Sequence, residues 1–197
     1  MTSDPPRVLV LIGPPGAGCS SVGRAAGAVA GLPVLDLGRS VADELGTSPD
    51  LALVAVPEAE YRRVETDTAL RLLDRAAAEG AVVALGSGCL EDPRTRERLE
   101  ELRLGHDRAL QAGAVGAVAA VVALTCSPRV LATRNGLDAP RSVALGTVHH
   151  QFVQMLRDRQ ARCRELADVV VDTTSTTPEE ACAEVMRTVG SAFSRRS

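Results

Sequence analysis

Short, almost entirely apolar runs alternate along the chain with longer segments of mixed apolar and polar residues. The apolar runs are rich in valine, leucine and alanine, which is typical of parallel strands covered by helices on both faces. We therefore predict five strands, at residues 7–12, 33–35, 81–85, 118–125 and 168–171. Strands that alternate with helices predict an α/β fold with a parallel sheet.

The longer segments carry signals for helix starts and ends. Pro57 stands where a first helical residue is expected, and Gly80 stands where the same helix should end. Ser127, followed by a proline, predicts another helix start. Thr177 and Glu180 have the spacing of a capping box and predict the start of the last helix.

The length of 197 residues and the absence of repeats or linkers predict one domain, 1–197, with a lid at about 136–146 and a loose tail at 194–197. The formal charge of −3 gives no electrostatic reason to expect nucleic acid or an anionic membrane as a partner. Aromatic residues make up 2% of the chain, which also argues against base-stacking surfaces. The apolar segment 112–124 is too short to span a bilayer.

The five cysteines are scattered without C-x-x-C spacing. This argues against a zinc site or a disulfide framework and favours a reducing cytoplasm. The N-terminal residues do not resemble a signal peptide. We expect a cytoplasmic protein.

Residues 13–20 read GPPGAGCS, directly follow the first predicted strand and lead into a predicted helix. This is the arrangement of the P-loop, G-x-x-x-x-G-K-[ST], in which backbone N–H groups and a helix N-terminus bind phosphate. The alternative is a glycine-rich turn without a ligand. The nucleotide contacts expected from this segment are Gly13, Gly16, Ala17, Gly18, Cys19, Ser20 and Ser21.

Cys19 occupies the position of the P-loop lysine. All 22 basic residues of the chain are arginine, so no other lysine can supply the missing charge, and Arg24, one turn along the helix, is a poor substitute. In other enzymes the loss of one preorganised donor lowers the rate about 10²–10³-fold. A neutral thiol is a weak donor, whereas a thiolate, which a helix N-terminus favours, would repel phosphate and make Cys19 a candidate reactive thiol.

From residue 8 to about residue 185 the chain resembles shikimate kinase, a small P-loop kinase. The resemblance implies a three-layer P-loop kinase fold with a five-stranded parallel sheet, ATP and Mg²⁺ as cofactors, and shikimate or a similar carboxylic acid as substrate. It implies that Ser20 and Asp36 organise Mg²⁺. The family's second-strand motif ends in Asp-x-Asp, but Gly38 replaces its second aspartate, which contacts the substrate hydroxyls and is the usual candidate for proton acceptor.

Three further motifs resemble the substrate site of the family. Residues 61–65, YRRVE, match Phe-Arg-x-x-Glu and imply that Arg62 binds the substrate carboxylate. Residues 157–163 resemble Arg-x-x-x-Tyr and imply that Arg159 is the second carboxylate ligand, with Cys163 in place of the tyrosine. Gly86, Ser87 and Gly88 stand where the family has three glycines that line the substrate pocket.

The resemblance also assigns residues around the nucleotide. Arg141 stands where the family's lid carries the arginine that approaches the transferring phosphate, and Arg134 and Pro178 would flank the adenine. The segment 91–116 is longer than the family usually has.

The missing lysine and aspartate lead to a hypothesis and an alternative. The hypothesis is a shikimate-kinase-like protein that binds its ligands while its kinase activity is severely impaired or lost, a role that leaves room for a protein partner. The alternative is an active kinase on shikimate or a related polyhydroxy carboxylic acid with a rearranged site.

Overall fold

The structure, a computed structural model, describes residues 6–111, 118–136 and 143–190. In this part of the chain five parallel strands form one sheet in the order β2-β3-β1-β4-β5. The strands are β1 (Arg7–Ile12), β2 (Val34–Asp36), β3 (Ala81–Ala84), β4 (Val118–Thr125) and β5 (Val169–Asp172). All five predicted strands are confirmed, with ends that differ by no more than one residue.

Helices connect the strands and cover the sheet. They are α1 (Cys19–Ala30), α2 (Leu37–Glu44), α3 (Ala52–Ala55), α4 (Glu58–Glu79), α5 (Pro93–Gln111), α6 (Pro128–Arg134), α7 (Val143–Leu166) and α8 (Pro178–Val189), with a short 3₁₀ helix at Cys89–Glu91. No helix among the described residues is long and apolar enough to cross a membrane.

The predicted helix caps are confirmed with one exception. The Ser127 hydroxyl caps α6, and Thr177 and Glu180 form both bonds of the capping box at α8. Pro57 is not the first helical residue, because its backbone is extended (ψ 144°) and it serves as the N-cap of α4. Gly80 ends that helix, as predicted.

The two faces of the sheet bury separate apolar clusters, as the alternation of side chains along a strand requires. Along β1, Val8 and Val10 belong to the cluster beneath α2, α4 and α5, whereas Leu9 and Leu11 belong to the cluster beneath α1, α6 and α8. These strands are therefore buried on both sides, which explains why their sequences lack polar alternation.

Two long segments, the predicted lid and residues 91–116, are partly helical in the structure. The predicted lid, 136–146, overlaps α7, because that helix begins at Val143; residues 137–142 lie outside the described residues. Most of the long segment 91–116 forms α5. An ion pair joins this helix to α4, with Nε of Arg98 at 2.7 Å from Oδ1 of Asp74.

Candidate nucleotide and substrate site

A cleft of about 490 Å³ lies at the carboxyl ends of β1, β2 and β3. Parallel α/β sheets bind ligands at this edge, where loops from several strands converge. The cleft brings together segments that are far apart in the sequence. Its lining includes Gly13, Gly16, Gly18, Cys19, Ser20, Ser21, Asp36, Gly38, Arg62, Glu65, Gly86, Ser87, Gly88 and Arg159.

The glycines of the P-loop are each required by local geometry. Gly16 and Gly18 have φ of 83° and 102°, the left-handed region that favours glycine. Gly13 has no such angle, but a Cβ there would lie 2.7 Å from the carbonyl oxygen of Leu124. The loop can therefore adopt its phosphate-binding shape without a lysine.

The carbonyl groups of the P-loop are held by side chains from outside the loop. Nδ2 of Asn135 donates to the carbonyl oxygen of residue 15 at 3.0 Å. Nη1 of Arg134 donates to that of residue 16 at 3.0 Å, and Oγ1 of Thr173 donates to that of residue 17 at 2.9 Å. Nη2 of Arg134 also donates to the carbonyl of Thr173 at 2.9 Å. These residues fix the loop carbonyls, and we call them the P-loop brace.

A second cavity, of about 320 Å³, lies on the other side of the loop. Arg134 and Pro178, the predicted adenine neighbours, both line it, together with Ala17 and Ser21. The structure thus brings these two residues to the P-loop from positions far along the chain. Their contact with adenine stays a prediction.

Cys19 does not take the place of a lysine ammonium. Its Sγ lies beneath the loop, 3.3 Å from the position that a Cβ on Gly13 would occupy. Burial, reinforced by the neighbouring Cys163, raises the pKa of the Cys19 thiol to about 12, although a backbone hydrogen bond from Gly86 opposes this. Of the two forms considered for Cys19, the structure therefore favours the neutral thiol at pH 7, because burial outweighs the backbone hydrogen bonds that lower its pKa. This argues against a reactive thiol at this position.

The other described cations near the loop already have hydrogen-bond partners. Nη2 of Arg24 donates to Oγ of Ser21 at 3.2 Å, and Arg134 is bound to loop carbonyls. Arg141 lies outside the described residues. Among the described residues that line the cleft, the cationic side chains are those of Arg62 and Arg159.

Arg62 is held by a buried carboxylate on the same helix. Its Nη1 contacts Oε2 of Glu65 at 2.9 Å, and its Nη2 lies 3.6 Å from Oε1 of Glu58. Burial raises the pKa of Glu65, against the opposing effect of Arg62. A Cβ on Gly88 would lie 2.4 Å from Oε1 of Glu65, so glycine at this position gives the ion pair its space.

Arg159 approaches the same end of the cleft from α7. Its Nη2 contacts Oε1 of Glu91 at 2.9 Å, while its Nε is buried and has no partner among the described residues. The buried hydroxyl of Ser87 also lacks a partner there. Cys163, which stands at the tyrosine position of the motif, is fully buried and belongs to the core beneath α4.

Asp36 and Gly38 lie where β2 gives way to α2. Oδ1 of Asp36 accepts from the backbone N–H of Arg39 at 3.2 Å and so caps that helix. Glu44, at the end of α2, accepts hydrogen bonds from Thr68 at 2.8 Å and from Arg71. The hydrogen bond from Thr68, followed by that from Arg71, lowers the pKa of Glu44.

Two parts of the site are not predicted from the sequence. Asn135 and Thr173 belong to the brace, and Glu91 pairs with Arg159 across 68 positions of sequence. No motif marks them. Only the position of Asn135 beside the predicted Arg134 gives a hint.

The chain is similar to known small-molecule kinases along most of its length. The family model for shikimate kinase matches residues 15–190. The shikimate kinase of Thermobifida fusca is 33% identical over 181 residues, which cover 92% of each chain. The structure of the shikimate kinase from Acinetobacter baumannii in complex with shikimate has a TM-score of 0.72 at 21% identity and covers 93% of each chain. A gluconokinase from Sinorhizobium meliloti has a TM-score of 0.58 at 20% identity, covering 95% of this chain and 93% of its own.

Proposed function

The chain belongs to the shikimate kinase family, and from that premise we propose that it binds a nucleotide and shikimate, or a similar polyhydroxylated carboxylic acid, with severely impaired or absent phosphoryl transfer. The observation that carries this proposal is the neutral Cys19 thiol beneath the loop, where phosphoryl transfer needs a positive charge.

The proposed ligand contacts combine the family motifs with the residues that line the two cavities. The N–H groups between Gly13 and Ser21 bind the phosphates, and the adenine lies between Arg134 and Pro178. Arg62 and Arg159 bind the substrate carboxylate, since a guanidinium fork matches that group. Arg141 acts on the transferring phosphate. The residues that line the other side of the substrate are Gly86, Ser87 and Gly88.

The donor set fits Mg²⁺. Ser20 at the start of α1 and Asp36 at the end of β2 present oxygen ligands to the same cleft, and hard cations prefer oxygen. When bound, Mg²⁺ neutralises charge on the nucleotide phosphates. Asp36 uses one carboxylate oxygen for capping α2, which leaves the other oxygen for a metal-bound water.

Two missing groups determine the predicted rate. If each contributes about 10²–10³-fold, losing both takes a kinase turnover of about 1–100 s⁻¹ down to about 10⁻⁶–10⁻² s⁻¹. Groups that act together are not additive, so the combined loss is smaller than the product. We therefore propose a protein that still binds its nucleotide and its carboxylic acid but transfers the phosphoryl group very slowly or not at all.

The test is ADP release with Mg²⁺, ATP and shikimate, run on the natural protein and on Cys19→Lys/Gly38→Asp. The second substitution fits the fold, because a Cβ at Gly38 meets only Oδ1 of Asp36, at 3.6 Å. An acidic residue in the first turn of a helix is also favourable. We expect the variant to exceed the natural protein at least about 10²-fold.

Equal rates would contradict the proposal and identify an active kinase with a rearranged site. Binding is tested separately by calorimetry with shikimate and with ATP, because it does not depend on turnover. Arg62→Ala should abolish shikimate binding and leave ATP binding intact. Shikimate binding that survives this substitution would remove Arg62 from the site.

A further inference from the structure

Only one of the two N–H groups along the side edge of the Arg159 guanidinium has a partner among the described residues. In arginine, Nε and Nη2 present two parallel N–H groups that match both oxygens of one carboxylate. Here Oε1 of Glu91 contacts Nη2 at 2.9 Å, whereas Nε has no partner among the described residues although it is buried. A buried donor without a partner is costly, which marks this edge as a place for a further acceptor.

Glu91 can leave this contact without disturbing the fold. Its side chain is 48% exposed, whereas that of Arg159 is 12% exposed. The backbone at Glu91 is fixed separately, because Nη1 of Arg96 donates to the carbonyls of Leu90 (2.7 Å) and Glu91 (2.9 Å). Rotation of the Glu91 side chain into solvent therefore frees Nη2 without a change in the backbone.

Both arginines at the carboxylate end of the cleft are already paired with acids of the protein. Arg62 contacts Glu65 and Glu58, and Arg159 contacts Glu91, which lines the neighbouring pocket. The charge of Glu91 also extends to Arg62. Burial lowers the pKa of this guanidinium, Glu65 raises it, and Glu91 adds to the effect of Glu65. An incoming carboxylate thus meets an acid of the protein on the arginine that should bind it.

We propose that Glu91 is an internal competitor for the substrate carboxylate: it pairs with Arg159 when no substrate is bound, and the substrate binds both Nε and Nη2 only after displacing it. The inference rests on the proposed carboxylate role of Arg159. Glu91 is a positioning residue that sets the affinity for the acid and has no part in phosphoryl transfer.

The experiment is calorimetric titration of the full chain with shikimate and with its methyl ester, which lacks the negative charge. The variants are Glu91→Gln, Arg159→Gln and the double variant. Glu97→Gln is the matched control, since it removes one negative charge from an exposed position of α5. We expect Glu91→Gln to lower the Kd for shikimate about three- to tenfold, with no change for the ester and none in Glu97→Gln.

The double variant separates competition from a general structural effect. Without Arg159 the gain from Glu91→Gln should vanish, and binding by Glu91→Gln alone, with none by the natural protein, would support the inference in its strongest form. Equal affinity of the natural protein and Glu91→Gln overturns this inference and leaves the proposed function standing. If neither binds shikimate, the opened clamp has failed to capture this carboxylate. The inference then falls, and shikimate is removed as the ligand in the proposed function.

Discussion

Glycine at position 88 is required by its neighbours and not by its backbone. Its φ and ψ of −64° and −50° are open to any residue, yet a Cβ there would lie 2.4 Å from Oε1 of Glu65 and 3.0 Å from Nη1 of Arg62. Gly86 is the opposite case, since it has φ of 71° and a Cβ on it would meet no atom within 4 Å. Two glycines of one motif therefore serve different purposes, one steric and one conformational.

Gly88→Ala should destabilise the protein by about 2 kcal/mol and weaken shikimate binding, because the added methyl group forces Arg62 and Glu65 apart. Urea unfolding and calorimetry measure the two effects. Gly105→Ala is the control, since a Cβ at this helical glycine meets nothing within 4 Å and should stabilise the protein by about 0.5–1 kcal/mol. An unchanged free energy of unfolding in Gly88→Ala would mean that the ion pair does not constrain this position.

At the scale of elements, the P-loop owes its shape to α6 and to the segment after β5. Arg134 and Asn135 stand at the end of α6, and Thr173 follows β5; together they bind three consecutive loop carbonyls. Fixing the carbonyls on one side leaves the N–H groups at the start of α1 for a ligand. If Cys19 stands in for the P-loop lysine, as we propose, the loop loses a charge and keeps its geometry.

Arg134→Ala should lower the free energy of unfolding of the protein without nucleotide by about 1–3 kcal/mol, because two carbonyl groups lose a charged donor. Urea unfolding measures this directly. Arg129→Ala, at an exposed position of the same helix, should change stability by less than about 0.5 kcal/mol. If the only role of Arg134 were to contact adenine, Arg134→Ala and the natural protein would have the same free energy of unfolding in the absence of nucleotide.

Local signals were predictable from the sequence, whereas contacts between distant elements were not. The strands and the caps at Ser127 and Thr177 depend on residues nearby in the sequence, and these predictions are confirmed. The ionisation state of Cys19 could not be decided from the sequence, because it depends on burial and on Cys163, which is remote in sequence. The Glu91 contact likewise depends on how the turn after β3 meets α7. The start of α7 at Val143 was missed because Gly146 suggested a loop.

At the scale of the whole molecule, the composition leaves few groups that titrate in alkali. The chain has no lysine, and its arginines stay charged throughout this range. The groups that remain include five free thiols and the single tyrosine. Burial raises the pKa of Cys19 and of Cys163 to about 12, and it also raises the pKa of Cys89, Cys182 and Tyr61.

The stability of the protein should therefore fall as the pH rises above about 9. An unfolded thiol has its ordinary pKa of 9.0, whereas Cys19 keeps its proton up to about pH 12 when folded. The unfolded chain thus loses protons first, so the contribution is complete below pH 9 and is lost as the pH approaches 12. Each such thiol should lower the free energy of unfolding by roughly 1 kcal/mol between pH 8 and pH 10.

Urea unfolding measures this free energy across the same range. Relative to its own value at pH 7, Cys19→Ser should lose less free energy of unfolding than the natural protein. Identical losses would mean that Cys19 ionises in the folded protein as readily as in the unfolded chain, and the neutral thiol beneath the P-loop would no longer explain the missing charge.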